Sequence, residues 1–335
     1  MKEKKMKTLT NIIDDPFAVM EGEVESFTDL TTQGIPINNK TLLIDADTIA
    51  YIACVQTETE DPILPEWAYS SEEYKILTSD PNYDPVKGVI YKGNVEEALE
   101  SCKIKIERMK ELTGCRKVSL HFSLSRTNFR YKLYPDYKAH RKSYHTPVHL
   151  EEVKKRLKKL YPSHYHKNIE ADDVVSYLKR KYPNKYILAA LDKDVIYQTP
   201  GRHLNYMERD GISMEWVEVS DMQAFWFRIL QTIAGDSTDG VKGLPNVGIG
   251  KIKKDLIKTF DLELEAEDLA SLASELTTKE INKFEAIRWM INLFKSKGYD
   301  FNYLKQQYYL VSLGSIEKLR PFKFIKALEK LLSNF

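Results

Sequence analysis

Ile169-Glu170-Ala171-Asp172-Asp173, followed shortly by Leu191-Asp192-Lys193-Asp194, decides how the rest of the chain is read. Five carboxylates fall within 25 residues. Val174, Val175 and Leu178 carry the first block on with helical spacing to about Tyr182. The run Tyr186-Ile187-Leu188-Ala189-Ala190-Leu191 is short and apolar, the signature of a buried strand. Glu170, Asp172 and Asp173 therefore sit at a helix start, and Asp192 and Asp194 sit just past the C-terminal end of a strand. In open α/β sheets that is where ligands bind. Acidic residues at a helix N-terminus also suit the helix dipole. Carboxylates brought close together repel and raise one another's pKa, however, and a hard divalent cation relieves both effects. Ligation by oxygen alone points to Mg²⁺ or Mn²⁺.

The upstream chain repeats this pattern. Thr41-Leu42-Leu43-Ile44 reads as a strand with Asp45-Ala46-Asp47 at its C-terminal end and a helix after Thr48. Asp47 suits the N-cap of that helix, and Asp45 at the strand tip is the better ligand. Asn94 is placed to cap a helix running to Leu112 and stopped by Gly114, with Val95, Leu99, Cys102, Ile106 and Met109 as its apolar stripe. Lys117 to Phe122 alternates as the next strand, and Ser123 follows at its tip. A helix between short strands predicts right-handed crossovers and a mostly parallel sheet. Residues 56–93 are acidic and proline-containing and read as a surface insertion of little regular structure. Residues 1–40 read as an N-terminal extension.

Between Arg126 and Lys159 eleven Lys and Arg face three Asp and Glu, a net charge of +8, with Tyr131, Tyr134, Tyr137 and Tyr144 interleaved. Clustered cations suit a phosphate backbone, and aromatic rings suit unpaired bases. Glu151 to Leu160 reads as an ordinary amphipathic helix on Val153, Leu157 and Leu160 with a solvated basic face. That account does not cover Tyr134-Pro135-Asp136-Tyr137-Lys138-Ala139-His140-Arg141-Lys142, which has no apolar face to bury. The spacing of His140, His145 and His149 fits no familiar metal site. His164 and His166 alternate along an extended stretch.

A helix from Asp221 through Phe225, Ile229 and Ile233 ends at Gly235-Asp236-Ser237-Thr238-Asp239. Gly243, Gly248 and Gly250 permit a tight hairpin with outward-facing backbone N–H groups, and a helix starts near Gly250 with Lys251, Lys253 and Lys254 beside it. Such a helix start grips a phosphodiester without reading bases. Ile281 to Phe294 and Phe322 to Leu332 read as supporting helices.

The chain has 335 residues, room for one large or two modest domains, and 50 basic against 49 acidic residues leave a net charge of +1 that names no partner. Three cysteines without metal-type spacing read as reduced thiols of a cytoplasmic protein. No apolar run approaches membrane-spanning length, and the basic N-terminus lacks the apolar core of a signal peptide. No oligomeric state is encoded legibly, and a monomer is the working expectation.

Taken in order, Asp45, Tyr137-Lys138-Ala139-His140-Arg141-Lys142, Glu170-Ala171-Asp172-Asp173, Asp192-Lys193-Asp194, Asp236-Ser237-Thr238-Asp239 and the glycine-rich hairpin resemble the flap endonuclease/5′-nuclease superfamily, close to phage-encoded 5′→3′ exonucleases and 5′-nucleases. The resemblance runs from Asp45 to about Lys254. It implies an α/β nuclease core over 41–219 with a basic helical arch at 126–168. It also implies a helical C-terminal part over 220–335 with a helix–hairpin–helix motif at about 235–258. Two Mg²⁺ or Mn²⁺ sites are implied: Asp45, Glu170 and Asp172 in the first, Asp192, Asp194, Asp236 and Asp239 in the second, and Asp173 in the first or bridging. Lys138 and Arg141 would face the scissile phosphate and join Asp45, Asp172 and Asp192 in catalysis. Arg126, Arg130, Tyr137, Lys142, Gly243, Gly248, Gly250, Lys251 and Lys253 would contact DNA, and a monovalent cation often accompanies such a hairpin. The implied activity is two-metal hydrolysis of DNA with 5′ ends, flaps or branches, with RNA–DNA hybrids as a further substrate, in replication, repair or recombination in a bacterial or phage-infected cell. One departure stands out: many relatives carry an Asp just after the strand ending at Phe122, where this chain has Ser123. Two rival readings are a non-catalytic branched-DNA-binding protein on the same scaffold and a metal phosphohydrolase acting on small molecules. The second needs neither the basic segment nor the hairpin.

Overall fold

The structure is a computed structural model that describes residues 38–124, 128–143, 145–207 and 214–314. In chain order the elements are β1 (Asn38–Asp45), α1 (Ala46–Thr57), β2 (Glu58–Pro62), α2 (Ser71–Thr78), β3 (Tyr83–Asp84), β4 (Val89–Gly93), α3 (Val95–Thr113), β5 (Cys115–Ser123), α4 (Arg130–Leu133), α5 (Leu150–Leu160), β6 (Ser163–His166), α6 (Ala171–Lys181), β7 (Tyr186–Ala190), α7 (Lys193–Gln198), β8 (Gly201–Asn205) and β9 (Glu215–Val219). The helices α8 (Asp221–Ala234), α9 (Ile249–Phe260), α10 (Leu269–Leu276), α11 (Lys283–Ser296) and α12 (Phe301–Val311) follow.

The fold is α/β with a mostly parallel central sheet of order β6-β5-β1-β7-β8-β9, in which only β9 runs antiparallel to its neighbour. β1 is central because Leu42, Leu43 and Ile44 are apolar on both faces, and all three are fully buried. One face packs on α1, α3 and α5: Leu42 and Ile44 meet Ala50, Cys102, Ile106, Val153 and Leu157. The other face carries α6, against β1, β5 and β7. Helix α3 is bounded as its sequence dictates, for the Asn94 side chain accepts the Glu97 N–H and Gly114 closes the helix at φ +66°. Such a cap stabilises by about 1 kcal/mol. The later helices build a second core in which Trp226, Leu230 and Ile233 of α8 meet Ile252, Leu256, Leu272, Met290, Phe294 and Leu304.

The structure corrects several expectations. Residues 58–93 are a regular antiparallel sheet, β2-β4-β3, with α2. Its pairing is between segments some thirty residues apart, which local composition does not reveal. Helices α10 and α12 went unread, and the Ile281–Phe294 pattern is α11, capped by Asn282. The described part of the segment expected as an arch is joined to the central sheet through β6. Its second half supplies α5 and β6, and Leu160 is exposed while Leu150 completes the buried stripe. The N-terminal arm up to residue 37, Arg126, the Lys142 side chain and the Phe322–Leu332 pattern lie outside the described residues. Among the described residues, no helix is long and apolar enough to cross a membrane. The three cysteines are free and buried.

Candidate active site

Parallel strands put their C-terminal ends on one edge, and the helices that follow begin there. Asp45, Glu170 and Asp192 are the N-cap residues of α1, α6 and α7, so three helix N-termini meet around one cavity of about 900 Å³. Asp45 and Asp192 accept N–H bonds from Asp47 and Asp194. Asp45 rather than Asp47 is therefore the cap of α1, as well as the strand-tip residue. Helix α6 is pinned at its start because the Ala171 N–H donates to Ser123 Oγ at 2.9 Å.

Asp236 and Asp239 arrive on a tight loop after α8. Asp236 and Val241 exchange backbone hydrogen bonds at 2.8 and 2.7 Å. Gly235 (φ +77°) and Gly243 (φ +60°) allow this crossing, since a Cβ on either would collide with the opposing backbone. The Gly243 N–H donates to Gln307 Oε1, and its carbonyl accepts from Tyr303. Gly243 thus serves the loop and turns no N–H outward, contrary to its expected DNA contact.

Asp45, Glu170, Asp172, Asp192, Asp194, Asp236 and Asp239 all line the cavity, together with Lys138 and Arg141. Asp173 does not. Its Oδ1 accepts from Arg130 and from the Gly314 N–H, its Oδ2 accepts from Arg130, and it is fully buried. Arg130 spends its donors on Asp173, Glu170 and the Leu310 and Ser312 carbonyls and is 1% exposed. Asp173 is therefore an ion-pair partner rather than a metal ligand, and Arg130 is buried rather than turned to DNA. Tyr137 is likewise buried, and its hydroxyl bridges Glu170 Oε2 (3.1 Å) and Asp239 Oδ2 (2.7 Å). Lys253 donates to the Ala266 carbonyl and is half-buried, which takes it out of the expected DNA-facing set. Gly248, Gly250 and Lys251 are exposed at the start of α9, with nothing within 4 Å of where a Cβ would stand on either glycine.

The carboxylates fall into two groups. Asp45 neighbours Asp172, and Asp194 neighbours Asp236. Burial, then the charges of Asp47 and Asp192, push Asp45 up to about 7. Burial and the neighbouring carboxylates hold Asp172 and Asp194 well above the usual carboxylate range. Glu170 behaves oppositely: burial would raise it, but Lys138 and Arg130 outweigh burial and take it down to about 2. Lys138 Nζ lies 2.6 Å from Glu170 Oε1 and 3.4 Å from Asp239 Oδ2, and Arg141 lies 2.7 Å from Asp239 Oδ1. Lys138 reaches this position from a left-handed backbone (φ +53°) whose N–H donates to the Asp239 carbonyl.

Among the described residues, no three His, Cys, Asp or Glu side chains already surround a cation-sized point. Lysine and arginine side chains meet part of the acidic charge instead. The donor set nevertheless fits a hard divalent cation. All the donors are oxygens, and Asp172 Oδ1 and Asp194 Oδ1 are buried with no hydrogen-bond donor facing them. The histidines do not compete for this role. His145 pairs with Glu58 and stacks on Tyr91, His149 meets Thr57, and His164 and His166 lie on β6.

Sequence reasoning missed three residues here. Gln231 is 1% exposed and donates to both Asp194 (2.7 Å) and Asp236 (3.2 Å), fixing the second group. A glutamine between Leu230 and Thr232 on an apolar helix was the available signal. Asp47 and Lys154 also line the cavity and pair with each other.

No family model matches the chain, and no curated protein matches it. Among solved structures it is similar to the bacteriophage T5 D15 flap endonuclease in complex with DNA and metal ions, at 14% identity over 88% of this chain and 98% of that one, with a TM-score of 0.49. It is also similar to the catalytic core of Rad2 with a DNA substrate (13%, 88% of each chain, TM-score 0.42) and to flap endonuclease-1 from Methanococcus jannaschii (14%, 82% and 93%, TM-score 0.35). At these identities and scores the functional reading rests on the residues of the chain itself.

Proposed function

We propose that the chain is a divalent-metal-dependent nuclease that hydrolyses phosphodiester bonds of DNA at 5′ ends, flaps or branches. One observation carries this reading: eight carboxylates from four separate segments, Asp47 among them, line one cavity with Lys138 and Arg141. Asp45, Asp172 and Glu170 would hold one cation, and Asp192, Asp194, Asp236 and Asp239 the other. Cations so held polarise phosphoryl oxygens and lower the pKa of an attacking water. The chain's own residues do the rest. Tyr137 and Gln231 hold carboxylates of both groups in place. Arg141, 41% exposed at the rim, offers a planar fork to an arriving phosphate, and Lys138 offers a point charge deeper in. Val241, Leu310 and Val311 supply an apolar wall that strengthens these charges. The exposed start of α9, with Gly248, Gly250 and Lys251, would hold duplex backbone. The 5′ polarity is carried over from the resemblance of the ordered motifs to 5′-nucleases and not from the cavity.

The test is product length from a 5′-labelled, 5′-flap DNA with and without Mg²⁺. A flap-length product supports a structure-specific nuclease, whereas mononucleotides and short oligonucleotides, formed from blunt duplex as well, mean an exonuclease on the same site. Tight binding with no product in any divalent metal overturns the enzyme and leaves a branched-DNA-binding protein.

A further inference from the structure

The cavity contains a cation that this mechanism does not use. On α5, Lys155 is solvated at 67% side-chain exposure, whereas Lys154 is only 11% exposed and turned into the cavity. Its Nζ lies 2.7 Å from Asp47 Oδ1 and 5.9 Å from the centre of the Phe122 ring. The other Asp47 oxygen, Oδ2, accepts the Ser123 N–H at 2.7 Å. The tip of β5 therefore fixes the carboxylate, and the lysine leans on the oxygen left over. The fold does not need this pair. Helix α5 is anchored by Val153 and Leu157, both fully buried, independently of this pair. Arg130 is committed to Asp173. Of the cavity-lining lysines and arginines, Lys138, Arg141 and Lys154 are thus the ones held by side chains that a phosphate could replace. Lys138 and Arg141 lean on Glu170 and Asp239, while Lys154 stands apart at the β1–β5 end.

We propose that Lys154 binds a second phosphate of the nucleic-acid strand, next to the one met by Lys138 and Arg141, and that Asp47 stores it in position until the strand arrives. The proposal rests on the nuclease reading. Its test uses the full chain and a 5′-flap DNA, with binding read by fluorescence anisotropy in EDTA so that nothing is cut. Lys154→Met should weaken binding about five- to tenfold and lower the salt slope by about one, as expected for a lost phosphate contact. Lys154→Arg should restore most of the binding, and the solvated control Lys155→Met should change it less than twofold. Asp47→Asn keeps an acceptor for the Ser123 N–H but frees the lysine. It should tighten binding in the otherwise natural chain and have no effect in the Lys154→Met background. Unchanged melting temperatures separate these effects from misfolding, and Lys154→Gln, neutral but polar, carries the test with the same expected loss of binding if Lys154→Met melts early. The proposal is overturned if Lys154→Met matches Lys155→Met, or if Asp47→Asn tightens binding without Lys154. If the natural chain cuts the flap with Mg²⁺ while Lys154→Met binds it as tightly as the natural chain does in EDTA, this proposal alone is sunk. A natural chain that neither binds nor cuts sinks the nuclease reading as well, and this proposal with it.

Discussion

Two clusters of cation and carboxylate adjoin at the start of α6, and they differ in one respect. At Arg130–Asp173 every carboxylate oxygen and guanidinium nitrogen is engaged, the pair is almost wholly buried, and backbone groups of Leu310, Ser312 and Gly314 complete it. At Lys138–Glu170 and Arg141–Asp239 the same residue types face an open cavity and retain donors for a ligand. Asp173 sits next to Asp172 in sequence, yet one locks a fold while the other lines the cavity with a buried oxygen that no donor faces. Saturation of hydrogen bonds, rather than residue type, separates structural from functional charge.

The difference can be broken experimentally. Asp172→Asn should lower cleavage by more than about 10³-fold, while DNA binding and metal-free stability hold or improve because a buried repulsion is removed. Near-normal turnover would remove Asp172 from the site. Lys138→Ala should slow turnover by about 10²–10³-fold at unchanged Mg²⁺ dependence, since it deletes one preorganised charge. Full-rate single-turnover kinetics would place the lysine outside the chemistry. Arg130→Met should instead cost about 3–5 kcal/mol of stability by stranding Asp173, an effect read by urea unfolding. Adding Asp173→Leu should recover much of that loss, and no recovery would mean that the pair is not the source of it.

The smallest effect is on pH dependence. Asp45 is raised from 3.8 to about 7, so the stabilisation its proton provides is complete below about pH 4 and is lost as pH rises through 7. On the proposed reading, a cation would take the proton's place. The increase in melting temperature on adding Mg²⁺ should therefore be larger at pH 8 than at pH 6, where the proton competes. Equal shifts at both pH values would exclude Asp45 from the cation site.

Much of this was legible in the chain. β1 and β7 contain short apolar runs, β5 alternates, and α3 carries its own cap and stop, so local pattern suffices for them. The carboxylate set was legible for the same reason, since strand tips and helix starts are written locally. Three kinds of feature were not. The β2-β4-β3 sheet depends on partners about thirty residues apart. Gly243 was read as a phosphate-facing glycine because its need to cross Gly235 appears only once the loop closes. Lys154 was read as part of a solvated basic face because helical periodicity gives its side of the helix but not what lies there.

The sequence by itself determined β1, β5, β7, α3 and α6, the mostly parallel order that sends strand tips to one edge, and the stock of carboxylates and cations gathered there. Tertiary structure alone decided their roles. It chose Asp172 over Asp173 for the cavity, buried Arg130 and Tyr137, and turned Lys154 inward. The physical reason is that a charged side chain's role depends on how many partners surround it, and those partners come from segments up to 182 residues away in the chain.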